Sequence, residues 1–322
     1  MKSKFRLFFR VGFVVFISLL SIGIFAGGRR LAKKVHDKQW LGHLNWARSV
    51  EPTEEKSFVI TIPSYRNAKY YEQNLHSVFS QNYQNYRVIY VDDASPDETY
   101  EKVKNYVTEK GQWHRFTLLK NEINRGSMFN HVLMSQYYRD DEIVVALDGD
   151  DFLASDQVLK ELNRVYANPH VWATYGQHIS YPDYTVSRCL PKKFSTLKKG
   201  AVRELPWFTS ALRTFYGGLF HRINAKDFLY EGAFLPMASD LAYICPIVEM
   251  AREHVYCTAG IWYIYNLGTG INDSKKSRSK QVFFEEYIRN QPRYEKLGEH
   301  PGIPYQSNAK DIIDAVLSSI DM

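Results

Sequence analysis

Cysteine is scarce in this chain: three residues in 322, Cys189, Cys245 and Cys257, none in a Cys-x-x-Cys spacing. That argues against a disulfide framework and a cysteine zinc site, and leaves all three as buried thiols. A strong excess of one charge is also missing. The formal net charge is +6, and 41 Lys and Arg are scattered among 35 Asp and Glu, so no nucleic-acid-binding footprint is expected. No internal repeat is present, which excludes a repeat array. Apolar material, by contrast, is plentiful: 45% hydrophobic and 15% aromatic residues can bury a substantial core and exclude a disordered chain.

The first thirty residues are of another kind. Lys2, Lys4, Arg6 and Arg10 precede an uncharged run from Val11 to Gly28, and Arg29, Arg30, Lys33 and Lys34 follow it. The run is near the length of a membrane-crossing helix. A cleaved signal peptide competes, because the run ends in small residues. The long apolar core and the cations directly after it favour an uncleaved N-terminal transmembrane helix. Cations flank both sides, so the face of the membrane stays open. The expected organisation is a tail and anchor over 1–30, a polar helical stem over 31–56, a main α/β domain over 57–270, and a basic loop with a helical tail over 271–322.

From residue 57, strands alternate with amphipathic helices. Ser57 to Ile62 is β-branched and apolar, as in a strand covered on both faces, and it is expected to stop at Pro63. Ala68 to Ser80 has helical spacing, and Tyr86 to Val91 is a second strand ending in Asp92-Asp93. A helix over Glu98 to Lys110, a strand over Phe116 to Leu119 and a helix over Met128 to Tyr138 follow. The fourth strand, Glu142 to Leu147, runs into Asp148-Gly149-Asp150-Asp151. This order predicts right-handed βαβ units, a mostly parallel central sheet flanked by helices, and ligands at the C-terminal strand ends. Past residue 170 the pattern fades, with strands expected over Trp172 to Ile179, Thr185 to Cys189 and Tyr256 to Tyr265.

Three carboxylates at the end of an apolar strand repel one another unless solvated or bound to a cation. With no Cys or His nearby, Asp148, Asp150 and Asp151 suit a hard, oxygen-preferring ion, Mg²⁺ or Mn²⁺. The plainer alternative is a solvated acidic turn before the helix that follows Ser155.

Five motifs in order, IPSYRN at 62–67, VDDAS at 91–95, NRG at 124–126, LDGDD at 147–151 and Ser239-Asp240, resemble the family 2 glycosyltransferases over residues 57–270. The resemblance implies the GT-A fold, Rossmann-like and nucleotide-sugar-binding. It also implies transfer of a hexose or N-acetylhexosamine from a UDP- or GDP-sugar to a hydroxyl of a glycan, lipid or protein, commonly with inversion. By the same likeness Pro63, Tyr65 and Arg66 line the nucleotide site, Asp93 and Asp92 accept from base or ribose, and Asn124, Arg125 and Gly126 lie near the nucleotide. Asp148 and Asp150 match the DxD motif, whose carboxylates reach the ribose and a Mn²⁺ or Mg²⁺ bridging the diphosphate. Asp151 is an additional acidic neighbour, placed among the acceptor candidates. Asp240 stands where the family has its general base, with Ser239 in a position often held by Glu.

Tyr216-Gly217-Gly218-Leu219 resembles the glycine loop ahead of that base, which makes Gly217 and Gly218 acceptor-side candidates. His178 joins them on chemistry, since aromatic groups stack on sugars. Residues 265–273 stand where relatives carry a loop that closes over the diphosphate, followed by Lys275, Lys276, Arg278 and Lys280. The Gln-x-x-Arg-Trp motif of processive members is absent, which disfavours a polysaccharide synthase. A sugar-nucleotide pyrophosphorylase is disfavoured too, because Pro63-Ser64-Tyr65-Arg66 replaces its glycine-rich signature. A non-catalytic glycan-binding or scaffolding relative stays open through the Ser239 departure.

Overall fold

The computed structural model of the chain describes residues 52–187, 201–207, 209–269 and 277–304, together with 314 and 318. The expected anchor, most of the stem, Cys189, Lys275, Lys276 and, apart from 314 and 318, the residues after 304 lie outside these residues. Among the described residues no helix is long and apolar enough to cross a membrane.

Apolar runs build the first half of the sheet. β1 (Phe58–Ser64), β2 (Tyr86–Asp92), β3 (Phe116–Lys120) and β4 (Ile143–Ala146) lie parallel in the order β3-β2-β1-β4. They are connected through α1 (Tyr71–Phe79), α2 (Thr99–Glu109) and α3 (Ser127–Ser135). Phe58, Val59, Ile60, Ile62, Val88, Ile89 and Val91 have no exposed surface, which is why these strands read as continuous apolar runs rather than alternating ones. β1 does not stop at Pro63 as expected. Proline is tolerated there because it falls near the strand end, where its carbonyl accepts from the Gly149 amide at 3.2 Å. The register pairs Ser64 with Asp92 and Thr61 with Ala146, so the C-terminal ends of β1, β2 and β4 share one edge.

The second half is mixed. The order continues β4-β7-β6-β10-β5, with β5 (Phe152–Leu153), β6 (Ala173–Tyr181), β7 (Arg213–Tyr216) and β10 (Val255–Asn266). β7 runs antiparallel to both β4 and β6, β6 parallel to β10, and β5 antiparallel to β10. The sheet is thus mostly parallel, as expected, with β7 and β5 running against the other strands. Of the strand expected over Thr185 to Cys189, the described residues keep a single bridge between Val186 and Ile179. β8 (Leu229–Tyr230) and β9 (Ala233–Phe234) form a separate small hairpin.

Behind this half stand α4 (Val158–Tyr166), α5 (Gly217–His221), α6 (Ser239–Ala251) and α7 (Arg278–Asn290). Every residue of α6 from Leu241 to Ala251 is buried, so this helix is apolar on all sides and central. The fold does not end at residue 270, because α7 packs against α6. A buried ion pair locks that junction: Arg203 donates to both carboxylate oxygens of Glu249, at 2.8 and 3.0 Å, and to the carbonyl of Ile288 in α7. Cys245 and Cys257 are buried free thiols, as expected.

Candidate active site

The acidic turn after β4 is held from several sides. From α1, the Asn74 amide donates to the Asp148 carbonyl at 3.0 Å and the Asp151 carbonyl at 2.7 Å. From β10, the Tyr263 hydroxyl donates to Asp151 Oδ2 at 2.6 Å, the Asn266 amide N–H to Asp151 Oδ1 at 2.7 Å, and the Asn266 side chain to the Asp150 carbonyl at 3.2 Å. Gly149 is required by contact: a Cβ there would stand 2.6 Å from Asn67 Nδ2 and 2.9 Å from Ser64 Oγ. Asp151 is only 1% exposed, and both its oxygens are engaged by β10. Burial first, then the charges of Asp150 and Asp148, push its carboxyl well above the ordinary range. The structure thus makes Asp151 the bolt between the turn and β10 and does not bring it to an acceptor.

Asp148 and Asp150 instead line a cleft of about 480 Å³ at the shared strand edge, within the size range of small-molecule sites. Pro63, Tyr65, Asp93, His178 and Asp240 line it too. These seven predicted residues, scattered over nearly 180 positions of sequence, therefore meet in one place.

The others stand elsewhere. Asp93 is braced by the loop before α3: its Oδ1 accepts from Asn121 Nδ2 at 2.7 Å and the Arg125 amide at 2.8 Å, and its Oδ2 from the Gly126 amide at 2.8 Å. Gly126 takes φ 85°, a conformation suited to glycine. Asn124 donates to the Asp93 carbonyl at 3.2 Å. Asn124, Arg125 and Gly126 thus support Asp93 rather than line the cleft. Asp92 has no exposed surface, accepts from the Ser95 amide at 3.2 Å, and burial raises its pKa. Of this acidic pair Asp93, just past the end of β2, lines the cleft. Arg66 turns outward at φ 59°, its guanidinium 5.3 Å from the Tyr65 ring.

Gly217 and Gly218 lie at the other end of the sheet. β7 pairs antiparallel with β4, matching Tyr216 to Ile143, so the two glycines follow at the N-terminal end of β4. A Cβ would lie 2.2 Å from the Arg139 carbonyl at Gly217 and 2.0 Å from the Pro301 carbonyl at Gly218. They are close-packing glycines, remote from the acidic turn.

Asp240 opens α6, its side chain 40% exposed. Oδ2 accepts from Arg213 Nη2 at 3.1 Å and Oδ1 from the Leu241 amide at 2.9 Å. The carboxylate is oriented by two donors yet retains accepting capacity toward the cleft. Arg213 also donates through Nε to the Thr209 carbonyl at 2.8 Å and stands 5.3 Å from the Trp207 ring centroid. Ser239 Oγ meets Ser127 Oγ at 3.0 Å. Sequence reasoning missed Arg213, Trp207, Asn67, Asn74 and Tyr263. Arg213 alone carried a signal, as the one charged residue in a stretch of apolar and small side chains, Leu212 to Phe220.

Asp148 and Asp150 give an all-oxygen donor pair, the chemistry that Mg²⁺ or Mn²⁺ favours when phosphate and water complete its shell. Among the described residues no three of His, Cys, Asp and Glu are grouped to cage a metal. The residues fit a cation shared with a diphosphate.

An open α/β sheet with an acid-lined cleft at its strand ends defines an α/β protein of the class that binds its ligand at the carboxyl ends of the strands. Residues 59–224 match the model of glycosyl transferase family 2, and the chain belongs to that family. It is 31% identical over 119 residues to an uncharacterized glycosyltransferase of Haemophilus influenzae, covering 37% of this chain and 46% of that one. It is 30% identical over 141 residues to the putative colanic acid biosynthesis glycosyl transferase WcaA of Escherichia coli, covering 40% and 48%. Its matches thus span about half the length of these curated relatives. Among solved structures, the mannosyltransferase PcManGT from Pyrobaculum calidifontis, in complex with GDP-Man and Mn²⁺, has TM-score 0.53 at 18% identity, covering 88% of this chain and 81% of that one. S. aureus TarS 1-349 in complex with UDP-GlcNAc has TM-score 0.51 at 16% identity, covering 83% and 68%. These two share the GT-A-like fold.

Proposed function

We propose that this chain transfers a hexose or N-acetylhexosamine from a nucleoside diphosphate sugar to an acceptor hydroxyl, with Asp240 as general base and inversion at the anomeric carbon. The observation that carries this reading is that Asp240, oriented by Arg213 and the Leu241 amide, opens into the same cleft as Asp148 and Asp150. Nucleotide sugars in the two fold neighbours support the donor class. In the reaction, the acceptor hydroxyl gives its proton to the Asp240 carboxylate as its oxygen bonds to the anomeric carbon. The bond from that carbon to the diphosphate breaks, and the diphosphate departs with the electron pair. A Mn²⁺ or Mg²⁺ held by Asp148 and Asp150 would neutralise charge on the departing diphosphate. A single displacement suits the cleft: apart from Asp240, its carboxylates are the braced Asp93 and the pair in the acidic turn.

The apolar run Val11 to Gly28 is proposed as a membrane anchor, checked by whether the full chain stays with membranes after alkaline carbonate extraction.

The test is a thermal-shift titration with UDP- and GDP-sugars and Mn²⁺, paired with release of free nucleoside diphosphate. Asp150→Asn should abolish the Mn²⁺-dependent shift. Asp240→Asn should keep the shift while turnover falls by about 10²- to 10⁴-fold, the usual contribution of a general base. Transfer at the parent rate by Asp240→Asn would remove the base assignment. Donor binding by the parent without release of nucleoside diphosphate would favour the non-catalytic relative.

A further inference from the structure

Of the exposed aromatic side chains among the described residues, Trp207 is the one that lines the cleft. It lines the cleft while remaining 42% exposed, whereas large aromatic side chains are ordinarily well covered. The chain leading to it is nevertheless firmly built. Arg203, 4% exposed, is clamped by Glu249 of α6, and Arg289 of α7 donates to the carbonyls of Arg203 and Leu205 at 2.7 and 2.8 Å. Two residues further on, the indole stands 5.3 Å from the Arg213 guanidinium. The same guanidinium holds Asp240 at 3.1 Å. One arginine therefore fixes a flat apolar face and a carboxylate relative to each other.

We propose that Trp207 is the platform of an acceptor subsite, on which the C–H face of a pyranose ring stacks so that one of its hydroxyls meets Asp240. The acceptor class is thus a glycoside rather than an amino-acid hydroxyl or a simple lipid alcohol. An apolar aromatic face beside a few placed polar groups is what a pyranose requires. The polar groups are at hand: Ser210 Oγ and His178 Nδ1 lie 2.7 Å apart, and both side chains line the same cleft. Gln281 of α7 lines it as well, so the helix beyond the family-matched region contributes to this wall. The inference rests on the transferase function proposed above, because Asp240 marks where the acceptor hydroxyl must come.

The experiment is saturation-transfer NMR on the full chain with Mn²⁺ and saturating UDP or GDP, presenting the methyl pyranosides of glucose, galactose, mannose and N-acetylglucosamine. At least one should receive saturation, strongest on the ring protons of one face. Trp207→Phe should retain the signal. Trp207→Ala should weaken binding by at least about tenfold, the scale of a lost aromatic contact, with an unchanged melting temperature. Glycoside binding equal to the parent in Trp207→Ala would overturn the proposal. So would nucleotide binding by the parent with no pyranoside signal, or weakening in Trp207→Ala of nucleotide-sugar binding alone. Absence of both nucleotide and pyranoside signals would overturn the transferase function and this subsite with it.

Discussion

The two halves of the sheet place their acids by different means. In the parallel half, Asp148 and Asp150 are set without charge: a glycine with no room for a side chain, a proline carbonyl that accepts from it, and the neutral side-chain amides of Asn74 and Asn266 donating to the carbonyls of the turn. In the mixed half, Asp240 at the start of α6 is set by a charged side chain from β7, and the wall beside it by a second arginine buried against α6. Neutral placement divides the load among many hydrogen bonds and close contacts, whereas charged placement concentrates it on a few ion pairs. The first half should therefore be sensitive to added volume and the second to lost charge.

The sharpest way to break that contrast is Glu249→Ala. Arg203, 4% exposed, would be left charged and without its bidentate partner. Removing one member of a buried ion pair costs about 3–5 kcal/mol. For a domain of this size that amounts to a melting temperature lower by about 10 °C. Pairing the change with Arg203→Met should recover most of the loss, since an apolar pair carries no desolvation penalty. If Glu249→Ala melts with the parent, the second half is not held by charge.

The seam between the halves offers a pH-dependent test. His131 of α3 lines the cleft with its ring 4.9 Å from Tyr243 of α6. Burial, and then the Arg213 charge, hold its pKa down to about 4 from 6.5. Between those values the unfolded chain binds the extra proton, so stability rises with pH across this window and is complete above the unfolded value. Lowering the pH through it should remove up to roughly 3 kcal/mol, less to the extent that the ring is hydrated. Urea midpoints at pH 4.5 and 7 check this, and His131→Gln should flatten the difference between them. An unchanged slope would place the acid sensitivity in other groups.

How much of this was legible in the sequence follows from the same contrast. The parallel half announced itself, because strands buried on both faces are continuous apolar runs and their ends are marked by Asp92-Asp93 and Asp148 to Asp151. Even there, Asp151 was misplaced, since its partners Tyr263 and Asn266 lie more than a hundred residues away. In the mixed half the two long strands β6 and β10 lie close to where they are expected, and of its predicted site residues Asp240 and His178 reach the cleft. Its organising strand, β7, is four residues long, too short for any periodicity to show. Without β7, nothing in the sequence tells which end of the sheet receives Gly217 and Gly218, or that Arg213 faces Asp240.

The smallest expected effect tests the close packing of the parallel half directly. In Gly149→Ala the new methyl meets Asn67 Nδ2 at 2.6 Å and Ser64 Cβ and Oγ at 2.9 Å. Neither neighbour can step aside freely, since Ser64 Oγ accepts from the Tyr90 hydroxyl at 2.7 Å and from Asn67 Nδ2 at 2.9 Å. The turn must move instead, which costs about 1–3 kcal/mol as overpacking and shows as a melting temperature lower by a few degrees. Asp148 and Asp150 flank the displaced residue, so Mn²⁺-dependent nucleotide binding should weaken while pyranoside binding on the Trp207 side changes less. Thermal shift with nucleotide and NMR with pyranoside separate the two. Equal weakening of both would mean that the halves are not independently held, and the contrast drawn between neutral packing and charge would fail.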